Sequence, residues 1–154
     1  MKKLLLIFFL FGFLFINNCS KNKKVEILNI EEDQIEGQMI KAYQEGVDAF
    51  KDKLYLDAAK KFNEAEILFP QSEWAPRSAL MAAYAYYYDD YNNRAISELF
   101  NFFKKYPNDP NMSYAHYLLA MSYYNKIVDE KKDLEPLKNS KKQFEYVVKN
   151  YPNT

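Results

Sequence analysis

Two reactive side chains occur once each in this chain of 154 residues, the thiol of Cys19 and the imidazole of His116. A thiol beside an imidazole can make a nucleophile and its base, and Cys with His can hold zinc, but both chemistries need more partners than one of each. A lone thiol also closes no disulfide within the chain. No motif supplies His116 with a nucleophile or an orienting carboxylate, so it reads as a structural residue. Glu31-Glu32-Asp33 has the composition of a metal cluster, yet consecutive acids ahead of a helix ordinarily serve its positive end. The only glycines, Gly12, Gly37 and Gly46, are scattered, so no loop gathers several backbone N–H groups around a phosphate. Lysine plus arginine equal aspartate plus glutamate at 21 each, with no basic block to attract nucleic acid. The expectation is a protein that is not an enzyme, with no metal, cofactor or nucleic acid.

Cys19 is then explained by its place. Met1-Lys2-Lys3 is followed by an apolar run from Leu4 to Ile16, shorter than the ~20 residues a membrane-spanning helix needs, so it reads as the core of a secretory signal. An uncleaved anchor is the alternative. The Cys at the end of that run resembles the lipobox of bacterial lipoproteins, in which the cysteine is lipidated and becomes the first mature residue. Asn17 and Asn18 depart from the small residues that such boxes favour. A diacylglycerol and an N-acyl chain on Cys19, at about 0.8 kcal/mol per buried CH₂, would hold a folded domain at a bilayer. Ser20 rather than Asp follows the cysteine, which by the sorting rule of that resemblance implies the outer membrane, with the protein facing the periplasm. Removal of residues 1–18 takes Lys2 and Lys3 and no acid, leaving 19 basic against 21 acidic groups, a formal charge of −2.

Residues 19–32 are polar, with too little apolar surface to offset the entropy of ordering them, and read as a flexible, disordered tether. From residue 33 to 154 the chain shows apolar residues three and four apart, with no alternating strand pattern, and the fold class expected is all-α. An aromatic residue precedes proline at Phe69-Pro70, Tyr106-Pro107 and Tyr151-Pro152, spacings of 37 and 45 residues that suit a helical repeat array. Gly46, Ala58, Phe62, Ala65 and Pro70 fall where the tetratricopeptide pattern has Gly, Ala, Phe, Ala and Pro. Ala83, Ala95, Leu99, Phe102 and Pro107 repeat it, with Tyr86 on the large aromatic position. Ala120, Tyr123, Ser140, Phe144 and Val147 do so again once a charged insertion, Ile127 to Lys138, is allowed as a loop closed by Pro136. The expected architecture is a tetratricopeptide-like α-solenoid of antiparallel helix pairs, divided near 33–70, 71–107 and 108–152; a plain helical bundle with coincident prolines is the alternative.

In such repeats the second, fifth, ninth and twelfth places of each first helix face a groove. Here these are Ile40, Tyr43, Val47 and Phe50, then Arg77, Leu80, Tyr84 and Tyr87, then Tyr114, Tyr117, Met121 and Tyr124. Seven of the twelve are aromatic, a lining suited to extended peptides because flat rings offer area at small entropic cost and phenols satisfy backbone amides. Some of these rings would pack on neighbouring helices instead, as aromatic stripes at helical spacing usually do.

"KYPNDPNMSYAHYLLAMSYY" and "FEYVVKNYPNT", behind a lipobox and tether, resemble the BamD family of outer-membrane assembly lipoproteins. Asp109-Pro110-Asn111 stands where the family has His-Pro-Asn, and Ala120 where it has Gly. The resemblance covers Lys41 to Thr154. It implies five repeats in the complete protein, so that this chain corresponds to an amino-terminal fragment. It also implies the partners: the barrel-forming subunit BamA, docked by the later repeats, and for this half unfolded outer-membrane proteins and the companion lipoprotein BamC. Rival readings are another periplasmic tetratricopeptide lipoprotein of cell division or envelope maintenance, a regulatory subunit of a cell-wall enzyme, or a small envelope hydrolase, against which the isolated His116 argues.

Overall fold

A computed structural model describes residues 22–128 and 133–153, with side chains from residue 32 onward. Six helices follow one another among these residues: α1 Asn22–Lys51, α2 Tyr55–Leu68, α3 Trp74–Tyr88, α4 Asn92–Lys105, α5 Met112–Tyr124 and α6 Glu135–Asn150. No strand occurs among the described residues, so the all-α expectation holds. One compact unit spans Ile35–Thr154.

Each turn has a local cause. The residue before a proline is driven out of the helical region by its clash with the pyrrolidine ring. Accordingly α2, α4 and α6 end at Phe69, Tyr106 and Tyr151, with φ of −140°, −126° and −133° and ψ between 55° and 72°. Within the first two pairs the chain reverses through a left-handed residue, Lys53 at φ 62° and Asp90 at φ 59°. In both turns the next amide reaches five residues back, Leu54 N–H to the Ala49 carbonyl and Tyr91 N–H to the Tyr86 carbonyl, each at 2.9 Å. Neither left-handed residue is glycine. Asp90 recovers part of that cost, because its carboxylate accepts the Asn92 amide at 2.7 Å. Pro136 sits in the first turn of α6, where its missing N–H is no loss.

α1 begins at Asn22, inside the segment read as a tether, where residues 22–36 hold neither proline nor glycine and include four Glu and two Lys. This stretch up to Gln34 still lies outside the compact unit. Residues 1–21, with the signal segment and Cys19, lie outside the described residues, as do 129–132 of the insertion.

Packing follows the repeat logic. α3 and α5, the first helices of the second and third pairs, bury residues nearly all around, because they touch helices on several sides. The second helices α4 and α6 expose mainly charged and amide side chains, with Phe100, Leu137, Tyr146 and Val148 exposed among them. Gly46 of α1 lets Phe62 of α2 approach until the ring fills the space a Cβ would occupy. One repeat later the small position is Ala83 and the large one Leu99, both with no exposed surface. A slightly larger residue on one helix is thus matched by a smaller one opposite. Between the first and second pairs lies a polar clamp: Glu66 of α2, only 7% exposed, accepts hydrogen bonds from Lys105 Nζ and Tyr106 Oη, both at 2.8 Å. Burial, then donation to Glu66, raises the Tyr106 phenol above its ordinary value.

Candidate interaction groove

The first helices α1, α3 and α5 each carry their groove positions on one stripe, since residues three and four apart share a face. The structure joins part of these stripes into an aromatic ribbon. Phe50 stacks on Tyr84 with ring centroids 5.4 Å apart at 14°, and Tyr84 meets Tyr88 at 4.7 Å and Tyr114 at 6.2 Å. Tyr114 is 6.4 Å from Tyr117, which meets Phe144 of α6 edge-on at 6.1 Å. Tyr55 closes the other end against Phe50 at 5.1 Å and Tyr88 at 5.5 Å. One continuous ring system therefore crosses the three pairs, with Tyr88, Tyr114 and Tyr117 exposed at 48%, 40% and 44%.

Its polar rim is made of phenols. Tyr84 donates its hydroxyl proton to Tyr88 Oη at 3.1 Å, which leaves the Tyr88 proton free to point at a ligand. Burial first, then that hydrogen bond, holds the Tyr84 phenol well above its usual value. Burial pushes the Tyr114 phenol up to about 12, the neighbouring Tyr88 adds to this, and the Tyr84 hydroxyl opposes it. Both groups stay protonated in any ordinary medium, so this part of the ribbon is uncharged. It offers π faces and hydroxyls, a chemistry for gripping backbone and apolar side chains rather than for moving protons.

Several expected groove residues are placed elsewhere. Tyr43 is half-buried against Phe62 at 5.3 Å and Trp74 at 5.2 Å, and Val47 packs in the same cluster. Leu80 is a core residue, and Tyr87 is partly buried where two core clusters meet. Met121 is half-buried, while Ile40 and Tyr124 are exposed at 49% and 57%. Arg77 lies 5.3 Å over the Trp74 ring, beside a cleft of about 480 Å³ that also involves Asp109 and Pro110. Tyr55, Tyr88 and Phe144 belong to the ribbon but were not among the expected residues. The signal for Tyr88 was its place one turn after Tyr84; Tyr55 and Phe144 lie on second helices, and only packing brings them to this face.

His116 does what a packing residue does. Its ring stacks on Phe103 at 4.2 Å and lies 4.3 Å from Tyr146, with Nδ1 3.0 Å from Gln143 Oε1. Among the described residues no group of His, Cys, Asp or Glu side chains is placed to hold a metal ion. Nor, among those residues, is any helix long and apolar enough to cross a membrane.

Stacked helix pairs with an aromatic face and a phenolic rim define a tetratricopeptide-like solenoid. Comparison with known proteins narrows this class. The model of the YfiO family, described as outer membrane lipoprotein, matches residues 35–154, and the chain belongs to that family. Curated relatives named outer membrane protein assembly factor BamD include that of Caulobacter vibrioides, 33% identical over 139 residues, which are 90% of this chain and 44% of the relative. Those of Rickettsia prowazekii and of Neisseria meningitidis serogroup B are 34% and 33% identical over 73% and 74% of this chain, and 45% and 46% of their own lengths. This chain thus spans a little under half the length of the curated relatives it matches.

Proposed function

We propose that the protein is a lipid-anchored scaffold of outer-membrane β-barrel assembly, held through Cys19 at the periplasmic face of the outer membrane. It binds unfolded outer-membrane proteins and partner subunits, BamA and companion lipoproteins among them, and promotes insertion by binding rather than catalysis. The observation that carries this reading is the ring ribbon from Tyr55 to Phe144, supported by the assembly-factor name of the relatives. An extended segment laid along it would set its aromatic side chains on the exposed faces of Tyr88, Tyr114 and Tyr117, while its backbone meets the phenols. Neutral hydroxyls and π faces are tolerant of side-chain sequence, as a receptor for many different clients requires.

Two experiments test this. Crosslinking and recovery of the full chain from outer membranes should bring down the barrel-forming subunit; recovery of cell-division proteins alone would sink the assembly role. Binding of a peptide ending in an aromatic residue should weaken by about 1 kcal/mol or more in Tyr117→Ala, the usual cost of losing a ring that matters at an interface. Tyr117 is 44% exposed, and an unchanged melting curve of the variant shows that the fold is kept. Unchanged affinity would exclude it from the site.

A further inference from the structure

A second aromatic surface is built from other side chains, on α4 and α6 with His116 of α5 between them. Phe103 and His116 stack nearly parallel at 13°, and Tyr146 adds a third ring on the other side of the imidazole. Phe100 extends the strip at one end, meeting Phe103 edge-on at 6.3 Å, and Tyr151 extends it at the other, 6.3 Å from Tyr146. Phe100 is 51% and Tyr146 42% exposed, whereas Phe103 and His116 are half-buried. The strip is therefore less exposed at Phe103 and His116 than at Phe100 and Tyr146.

Its flanks carry three lysines, with Glu145, itself paired with Lys141, beside Tyr146. Lys104 lies one turn from Phe100, and Lys142 and Lys149 lie one turn before and after Tyr146, so each shares a helix face with an exposed ring. All three are exposed, and none makes an ion pair among the described residues. Lys53, Lys126 and Lys138 are likewise in no ion pair among the described residues, whereas Lys61 is paired with Glu45 and Glu64, Lys105 with Glu66, and Lys141 with Glu145. Uncompensated cations around half-exposed rings make a surface complementary in charge to an acidic partner.

We propose that this strip of Phe100, Phe103, His116 and Tyr146, flanked by Lys104, Lys142 and Lys149, docks an extended acidic segment of a partner protein carrying aromatic or aliphatic side chains. The half-buried middle, Phe103 and His116, favours this occupant over an anionic bilayer. A flat membrane would touch only the outer rings, whereas a peptide side chain can enter between Phe100 and Tyr146 and cover Phe103. The narrow course from α4 to α6 suits a strand-like segment, with its carboxylates meeting the lysines on either side.

The test uses the full chain in dodecyl maltoside micelles and a fluorescein-labelled peptide, Asp-Phe-Glu-Leu-Asp-Phe-Glu, read by anisotropy. The wild type should bind it more weakly as salt rises. Reversing the three lysines together, Lys104→Glu, Lys142→Glu and Lys149→Glu, should weaken binding about tenfold or more and flatten the salt dependence. Phe100→Ser should weaken it about fivefold, the size of a modest hot spot. All four positions are exposed, and an unchanged melting curve shows that the fold is kept. Tyr117→Ala, altered in the groove, should bind this peptide as the wild type does, which separates the two surfaces. Equal affinity in all strip variants would overturn the proposal. So would displacement of the peptide by phosphatidylglycerol doped into the micelles, which would assign the strip to lipid.

Discussion

Gly46→Ala isolates the contact on which the first helix pair depends. A Cβ on Gly46 would lie 2.8 Å from Phe62 Cδ1, 2.9 Å from Cε1 and 3.2 Å from Cγ, where carbon atoms prefer about 3.5–4.0 Å. The ring cannot yield cheaply: Phe62 has no exposed surface and is held by Ala58, Ala59, Ala82 and, on its edge, Tyr43. By propensity alone the substitution favours a helix by about 1 kcal/mol. Overpacking a filled core costs about 1–3 kcal/mol, so the net expectation is destabilisation of up to about 2 kcal/mol, in place of the gain that propensity alone would give. Gly37→Ala in the same helix meets nothing within 4 Å and should instead stabilise by a few tenths to about 1 kcal/mol. Reversible urea unfolding of the full chain, followed by circular dichroism, measures both. Adding Phe62→Leu to Gly46→Ala reproduces the Ala83 and Leu99 pair of the next repeat. The double variant should recover about 1 kcal/mol relative to the sum of the single changes, a coupling typical of residues in contact. If Gly46→Ala raised stability as Gly37→Ala does, or if the cycle showed no coupling, the close-approach argument would be wrong.

Other expectations follow from the turns, the clamp and the tyrosines. Lys53→Gly should raise stability by about 0.5–1 kcal/mol, because Lys53 holds a left-handed conformation at φ 62° that costs a non-glycine residue about 1–2 kcal/mol, partly offset by the greater unfolded freedom of glycine; a lower urea midpoint would contradict this. Glu66→Ala should destabilise by about 1–3 kcal/mol, since it leaves the Tyr106 hydroxyl without its acceptor, and Tyr106→Phe in that background should restore part of the loss. Tyr43, Tyr84, Tyr106, Tyr114, Tyr123 and Tyr151 all have folded-state values raised above 10. Their contribution to stability is therefore complete below pH about 10, the unfolded value, and is lost as pH rises through the folded values. Ultraviolet titration should show a late tyrosine fraction extending past pH 11, and thermal stability should fall above pH 10; tyrosines titrating together near 10 would contradict both.

Much of the architecture was legible because its causes are local. An aromatic residue before proline stops a helix wherever it occurs, and Phe69, Tyr106 and Tyr151 became the three matching caps. Ala58, Phe62 and Ala65, with Ala95, Leu99 and Phe102 one repeat on, are buried as their repeat positions imply. Low apolar content in the tether argues against a core there, not against a helix, and residues 22–36 lack any breaker. Groove positions were harder. Tyr43 and Tyr117 hold the same repeat place, yet Tyr43 turns onto Phe62 and Trp74 while Tyr117 meets Tyr114 and Phe144 in the ribbon. Spacing cannot distinguish two rings on one stripe whose neighbours differ.

By itself, then, the sequence determined the helical class, the helix pairs with their proline stops, and the small and large packing positions. These depend on residue type and on separations of a few residues, which any chain of this pattern shares. Only the tertiary structure decided which rings are core and which form the ribbon, that Glu66 is clamped by Lys105 and Tyr106, and that His116 joins Phe103 to Tyr146. Those outcomes depend on contacts between helices some 30 to 40 residues apart, where the available volume beside each ring, rather than its place in the repeat, sets which way it turns.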